Sequence, residues 1–276
     1  MNQKIEFIIN KIIVISKTIY YHIYEPIRLW YERYLSKPSA GNPLISVYCP
    51  TYNRSQLLID RAVKSVLAQT YTNFEFIIIG DHCTDDTEES LSKIKDSRIK
   101  FYNLPYRRKR YPPTADNHWF AGPVVPANEA LSRVNGEWIA RIDDDDEWHP
   151  KHLEILLKHA LKHKLEFVSG DIETIQFGEK KVIRAKDESP PIGGTQTWLY
   201  RSYLKFFKYN IDCWRKSWNR VNDYDLQDRM YHAGVKIGYV NKVVTFVYPR
   251  PGDETISSKA YRSKPKEIEK FYKFEE

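Results

Sequence analysis

Apolar residues fall along this chain in two rhythms. Residues 44–48, 74–79, 99–103 and 138–142 are short runs rich in β-branched and aromatic side chains, which is how buried strands read. Between them the spacing changes. Ile59, Ala62, Val63, Val66 and Leu67 recur at the interval of one helix face, as do Leu153, Leu156, Leu157, Ala160 and Leu161; residues 126–134 also read as helix. Asn53 with Gln56, and Asp85 with Glu88, have the spacing of capping boxes. Strands alternating with amphipathic helices predict an α/β fold with a mostly parallel sheet. Residues 104–126 break the pattern and read as a long loop, a kind of segment that tends to carry function.

The second half is less regular. Residues 173–184 read as a hairpin turning at Gly178, and 190–195 as a loop. A helix opens at Asn222 and stops near Gly234, with Asp223 and Asp225 in a first turn where the helix dipole favours carboxylates. Strands are expected at 237–240 and 243–248, and a polar tail over 257–276. Residues 3–34 predict an amphipathic helix that lies on a membrane surface or packs on the domain or a partner. Its isoleucine-rich start is interrupted by Lys4, Glu6, Lys11 and Lys17, so no uncharged run reaches the ~18 residues of a spanning helix. No small-residue cleavage site follows it. These readings divide the chain into 1–42 (helix and linker), 43–256 (one domain, with halves 43–150 and 151–256) and 257–276.

Composition narrows the partners. The net charge of +7 favours anionic ligands such as phosphates or an acidic membrane. Cys49, Cys83 and Cys213 are few, odd in number and lack metal-knuckle spacing, which points to a reducing, cytoplasmic setting; residues 3–34 would supply any peripheral membrane contact. His152, His159 and His163 read as surface residues of their helix.

Candidate chemistry gathers where strands end. In parallel sheets ligands bind beyond the carboxyl ends of the strands. Thr51, Tyr52 and Asn53 follow the first strand, Asp81 and His82 the second, and Asp143 to Asp146 the fourth. Four adjacent carboxylates are costly without a cation, and clustered oxygens suit Mg²⁺ or Mn²⁺; a solvated acidic turn is the alternative. No GxGxxG follows the first strand and no GxxxxGK[ST] occurs, which disfavours dinucleotide and P-loop sites. A haloacid-type phosphatase using Asp143 and Asp145 would expect Thr or Val soon after the second carboxylate, where Asp146, Glu147 and Trp148 stand. A non-catalytic basic module for nucleic acid or membrane would use the cluster 107–110 but leaves the carboxylates unexplained.

Five stretches then resemble family 2 inverting glycosyltransferases with the GT-A fold: 46–54, 68–75, 79–87, the region of Asn128 to Pro150 that contains Asp143 and Asp145, and Asn222 to Arg229. The resemblance implies a nucleotide-sugar donor, a glycan or lipid-linked acceptor and no nucleic-acid partner. It implies that Pro50, Thr51, Tyr52 and Asn53 line the nucleotide loop, with Tyr52 on the base and Asp81 hydrogen-bonded to it. Asp144 would contact the ribose or a metal-bound water, Asp143 and Asp145 would hold Mn²⁺ or Mg²⁺, and Asp223 would be the general base, with Asp225 in reserve. Gly80 departs from the pattern where a further aspartate is common, and Asn222 replaces a glutamate. Arg107 to Arg110 are candidates for the diphosphate by location only.

Overall fold

The computed structural model describes residues 3–36, 41–216 and 220–275. Helices α1 (Gln3–Ile19) and α2 (Glu25–Leu35) join through a π-turn at Tyr20–Tyr24. The domain then runs β1 (Ile45–Thr51), α3 (Ser55–Leu57), a π-turn to α4 (Lys64–Leu67), β2 (Phe74–Gly80), α5 (Thr87–Ser92) and β3 (Ile99–Asn103). It continues through α6 (Ala115–Ala121), α7 (Val124–Arg133), β4 (Trp138–Arg141), β5 (Asp146–Trp148), α8 (His152–His163), β6 (Phe167–Gln176) and β7 (Glu179–Ile183). Strand β8 (Leu199–Arg201), α9 (Asn222–His232), β9 (Ile237–Val247), α10 (Ser258–Ser263) and α11 (Pro265–Phe271) complete it.

The sheet order is β3-β2-β1-β4-β8-β6-β9-β5, with β7 beside β6. Strands β3, β2, β1 and β4 are parallel, as the alternating pattern predicts. The other half is mixed: β8 runs antiparallel to both β4 and β6, and β5 antiparallel to β9. That half combines a hairpin at Gly178 (φ +76°) with a parallel pairing of β6 and β9, between which the chain passes through α9. Side chains of β1, β2 and β4 alternate between two cores: Val47, Phe76 and Ala140 face α4 and α8, while Tyr48, Ile77 and Ile139 face α7 and α9.

Several local expectations differ from the structure, each through a contact distant in sequence. Asn53 takes a positive φ of 49° and does not cap the following helix; the Asp85 carboxylate accepts from the Ser55 N–H instead, at 3.1 Å. The expected loop at 104–126 contains α6, capped by Thr114. Asp146 and Glu147, at the end of the acidic run, pair with β9 rather than forming a solvated turn. His152 is fully buried, stacked 3.9 Å from Trp148, its Nδ1–H donating to Val244 O at 2.9 Å.

Burial holds the His152 imidazole down to about 3 and that of His118 down to about 4. Both groups protonate more readily when unfolded, near the ordinary 6.5, so the unfolded chain binds more protons. Stability is therefore full above pH 6.5 and falls on acidification toward pH 3, each site contributing up to about 1.4 kcal/mol per pH unit. Melting temperatures measured from pH 7 down to pH 4 should fall steadily, and His152→Phe should flatten that slope.

Helices α1 and α2 dock by one face. Leu29 and Glu25 are buried. Arg33 pairs with Glu166 at 2.5 Å, Lys17 with Asp212 at 2.5 Å, and Arg229 with both Glu25 and Asp225. The opposite face carries Ile5, Ile8, Ile12, Ile15, Ile19, Ile23 and Ile27 into solvent, followed by Trp30 and Tyr34. Intervals of three and four residues make these one continuous stripe. Among the described residues, no helix is long and apolar enough to cross a membrane.

Candidate functional site

Strand register brings the polar strand ends together. Thr51 is opposite Gly80, and Tyr48 opposite Arg141, so β1, β2 and β4 finish side by side. The Asp81 N–H donates to Thr51 O and the Ile142 N–H to Tyr48 O, extending the ladder to the first residues beyond the strands. Gly80 has a steric reason to be glycine, since a Cβ there would lie 2.6 Å from Asn103 Oδ1. That Asn103 side chain holds the turn after Asp81 by bonding both N–H and C=O of Cys83.

One cavity lies at these strand ends. Its walls include Pro50, Thr51, Tyr52, Asp81, Asp143, Asp144, Asp145 and Asp223, eight of the nine residues expected from sequence. Asn53 is the exception, its side chain bonded to Thr84 of the neighbouring turn. Asp225, the reserve base, is buried in the ion pair with Arg229 and does not reach the cavity.

The four carboxylates have different surroundings. Asp143 is half-buried and accepts from Arg141 on Oδ1. Asp144 accepts from Thr51 Oγ1 and Arg54; burial raises it above the ordinary carboxylate range despite that arginine. Asp145 is half-buried; its desolvation acts upward, but Arg250 at 2.7 Å and Arg54 at 3.5 Å outweigh it and hold the carboxyl below that range. Burial and three neighbouring carboxylates push Asp146 well above it. Asp223 opens α9, with Oδ1 accepting from the Tyr224 N–H. Burial raises its carboxyl, with Arg141 opposing.

Among the described residues, no three His, Cys, Asp or Glu side chains converge as a set that could hold a cation. The protein bonds to Asp143 and Asp145 fall on Oδ1 and Oδ2 respectively, however, leaving one hard oxygen on each. Those donors suit Mg²⁺ or Mn²⁺ when phosphate oxygens and water complete the shell, so the residues fit a cation that arrives with a phosphorylated ligand.

Arginines of the site were the least visible in the sequence. Asp81 is held by Arg107 (2.8 Å) and Arg110 (2.6 Å), whereas Arg108 turns onto Tyr106. Arg54 and Arg250 brace Asp144 and Asp145. The segment 257–276, read as a polar tail, instead brings α10, α11 and the residues after them onto the site. Tyr272 stacks on Tyr52 with ring centres 5.9 Å apart, bonds Arg54 through its hydroxyl, and lines the cavity with Tyr261. Arg107 donates to the carbonyls of Tyr272 and Lys273, and Glu275 pairs with His82 at 2.6 Å. The cavity is consequently small, about 200 Å³, against roughly 300–1,000 Å³ for typical ligand pockets. Arg107→Ala removes the two carbonyl bonds, so hydrogen exchange at residues 271–275 should rise at least about tenfold; unchanged exchange would mean that other contacts hold the segment.

Residues 46–112 and 118–229 match the sequence family described as Glycosyl transferase family 2. A putative colanic acid biosynthesis glycosyl transferase, WcaA of Escherichia coli (strain K12), is 40% identical over 121 residues, 43% of this chain and 38% of the relative. The Escherichia coli protein UDP-Glc:alpha-D-GlcNAc-diphosphoundecaprenol beta-1,3-glucosyltransferase WfgD is 32% identical over 132 residues, 48% of this chain and 47% of that one. The alignments thus span less than half of these relatives. In structure the chain is similar to S. aureus TarS 1-349 in complex with UDP-GlcNAc, with a TM-score of 0.59, 18% identity, and coverage of 76% of this chain and 60% of that one. It is also similar to the mannosyltransferase PcManGT from Pyrobaculum calidifontis in complex with GDP-Man and Mn2+, with a TM-score of 0.57, 18% identity, and coverage of 86% and 68%. At such identities the likeness speaks for the fold, which is that of the GT-A glycosyltransferases.

Proposed function

Because the chain belongs to glycosyl transferase family 2, we propose that it transfers a sugar from a nucleotide-diphosphate donor to a hydroxyl of a glycan or lipid-linked acceptor, with inversion. The observation that carries this reading is the convergence of Tyr52, Asp81, Asp143, Asp145 and Asp223 on one cavity from four separate places in the chain. Tyr52 offers a ring for the base. Asp81 offers an acceptor for a base N–H, shared with Arg107 and Arg110. Asp144 sits beside Thr51, in reach of the ribose. Asp143 and Asp145 would hold the divalent ion, which when bound offsets the charge developing on the leaving diphosphate. Arg54 and Arg250, whose charges already face Asp145, are placed to add to that offset.

Inversion needs a base opposite the leaving group, and Asp223 meets that need. It lines the same cavity as the strand ends, and the Tyr224 N–H bonds its Oδ1 rather than its Oδ2. A desolvated carboxylate with a raised pKa is the stronger base, suited to taking the acceptor hydroxyl proton. The same shift predicts that turnover falls as pH drops through a value above the ordinary 3.8 of an aspartate, because the base is then protonated; a pH–rate profile checks this.

Donor entry on this reading requires residues 258–275 to swing from Tyr52, since ring stacking there leaves no room for a base between Tyr52 and Tyr272. The isoleucine stripe of α1 and α2 supports a second part of the proposal, peripheral contact with a membrane that presents a lipid-linked acceptor. Deleting residues 1–36 should abolish sedimentation with anionic vesicles, and unchanged sedimentation would remove this part. The donor reading is tested by calorimetric titration with UDP-, GDP- and dTDP-sugars, with Mn²⁺ and with EDTA. Metal-dependent binding of at least one is expected; none binding in either condition would overturn it.

A further inference from the structure

The cavity changes character around Asp223. Along the strand ends carboxylates alternate with arginines: Asp81 with Arg107 and Arg110, Asp143 with Arg141, Asp145 with Arg54 and Arg250. The start of α9 lies elsewhere, fastened to α6 by a bond from Asn222 Nδ2 to Phe120 O at 2.9 Å. Trp119 and Asp223 each stand one residue from that bond, and both line the cavity. Gly122 and Pro123 follow Trp119 at the intervals of one helix side, and Pro126 and Val221 complete the wall there. None of these five residues carries a charge.

Helix α6 holds Trp119 firmly. Thr114 caps it by accepting from the Asn117 N–H, and Asp116 accepts from Lys216 at 3.1 Å and from Arg262 at 2.9 Å. The indole is half-buried and meets the Tyr261 ring at 5.2 Å with the planes 67° apart. An edge-to-face contact of this kind occupies at most one face of the indole. Asp223 is half-buried as well, and the Tyr224 N–H bonds its Oδ1. Arg141, the cation that opposes the shift of Asp223, is paired with Asp143 at 2.8 Å.

This wall restricts what can lie against Asp223. A phosphate would meet a carboxylate with no cation among the five wall residues. An acyl chain would cover the apolar wall but offer the carboxylate no donor. A neutral pyranose suits both. The C–H groups of one ring face can lie on the electron-rich face of an indole, while a ring hydroxyl donates to the carboxylate. We propose that Trp119 is the platform on which a neutral pyranose of the acceptor stacks, presenting one hydroxyl to Asp223. The acceptor group is then a sugar ring rather than a phosphate or a polyol phosphate. That this sugar is the acceptor rests on the proposed function; that a sugar stacks on Trp119 does not.

The test labels the full chain with fluorotryptophan and follows it by fluorine NMR, the Trp119 line being the one missing from Trp119→Phe. Methyl glycosides of glucose, galactose and N-acetylglucosamine are added, with and without UDP or GDP and Mn²⁺. At least one should shift the Trp119 line. By saturation-transfer NMR that sugar should bind about tenfold more weakly to Trp119→Leu, which keeps an apolar side chain without a ring. Trp119→Phe restores a ring and should recover most of that loss. Tyr261→Leu breaks the same ring contact from the other side and should not weaken the sugar. No shift of the Trp119 line by any of the three, at roughly tens of millimolar in either condition, would overturn the proposal. So would an equal loss from Trp119→Leu and Tyr261→Leu, or glycerol phosphate moving that line where the sugars do not. Donor binding that succeeds while the sugars ignore Trp119 removes this inference alone; sugars that bind at Trp119 while no donor binds remove the transferase reading alone.

Discussion

Asp223→Asn should lower sugar turnover by about a thousandfold while leaving donor affinity within about twofold. Positioned general bases contribute typically 10²–10⁴ in rate, and an amide cannot take the acceptor proton. The substitution keeps the shape and the bond from the Tyr224 N–H to Oδ1, so α9 keeps its first turn. The substitution leaves Tyr52 and Asp81, the residues proposed to meet the base, unchanged, so donor titration should barely change. Asp225→Asn separates the two carboxylates. It weakens a buried network with Arg229 and Glu25, and its effect should appear as a lower melting temperature, since breaking such a pair costs about 3–5 kcal/mol. If Asp225→Asn abolished turnover in a protein still folded, and Asp223→Asn did not, the two assignments would have to be exchanged.

Asp145→Asn is expected to cost about a hundredfold in Mn²⁺-stimulated donor binding, and to make what remains insensitive to EDTA. Asp145 is the carboxylate of the acidic run that Arg250 and Arg54 keep ionised, and its Oδ1 is the oxygen left for a cation. Asp146→Asn should by contrast be almost silent in metal response, because that side chain is buried and does not line the cavity. Equal loss from both substitutions would show that the acidic run acts by bulk charge. Arg250→Gln provides the complementary variant: it should raise the pKa of Asp145 and lower donor affinity without removing the metal response.

How far the site was legible in the sequence follows from which contacts are local. The strand ends could be read because apolar runs stop abruptly at Thr51, Asp81 and Asp143, and a parallel sheet must place such ends together. The roles within the acidic run could not, because they depend on Arg54 and Arg250, the latter more than a hundred residues from Asp145. Asp225 looked equivalent to Asp223 along the chain, yet two residues on a helix point about 200° apart, and only one reaches the cavity. His152 read as a surface residue because its partners, Trp148 and Val244, become adjacent only when β5 pairs with β9. The end of the chain was the largest surprise. Its lysines suggested a solvated tail, whereas Tyr261, Tyr272 and Phe274 are the residues that fix its position, against Trp119, Tyr52 and Tyr111. The helical nature of residues 3–34 was visible from period alone; which face docks was not, since it is set by Glu166, Asp212 and Arg229 in the second half.

The central claim is that one cavity holds a nucleotide sugar with its base at Tyr52 and Asp81 and its diphosphate at Asp143 and Asp145. A crystal structure of the full chain with Mn²⁺ and a nucleoside diphosphate chosen by titration tests this most directly. The account predicts the base on the Tyr52 ring with Tyr272 displaced, the metal between an Asp145 oxygen and the diphosphate, and the Asp223 carboxylate facing the open side of the cavity. A nucleotide bound elsewhere, or bound here with Tyr272 still stacked on Tyr52 and no metal contact to Asp143 or Asp145, would contradict it.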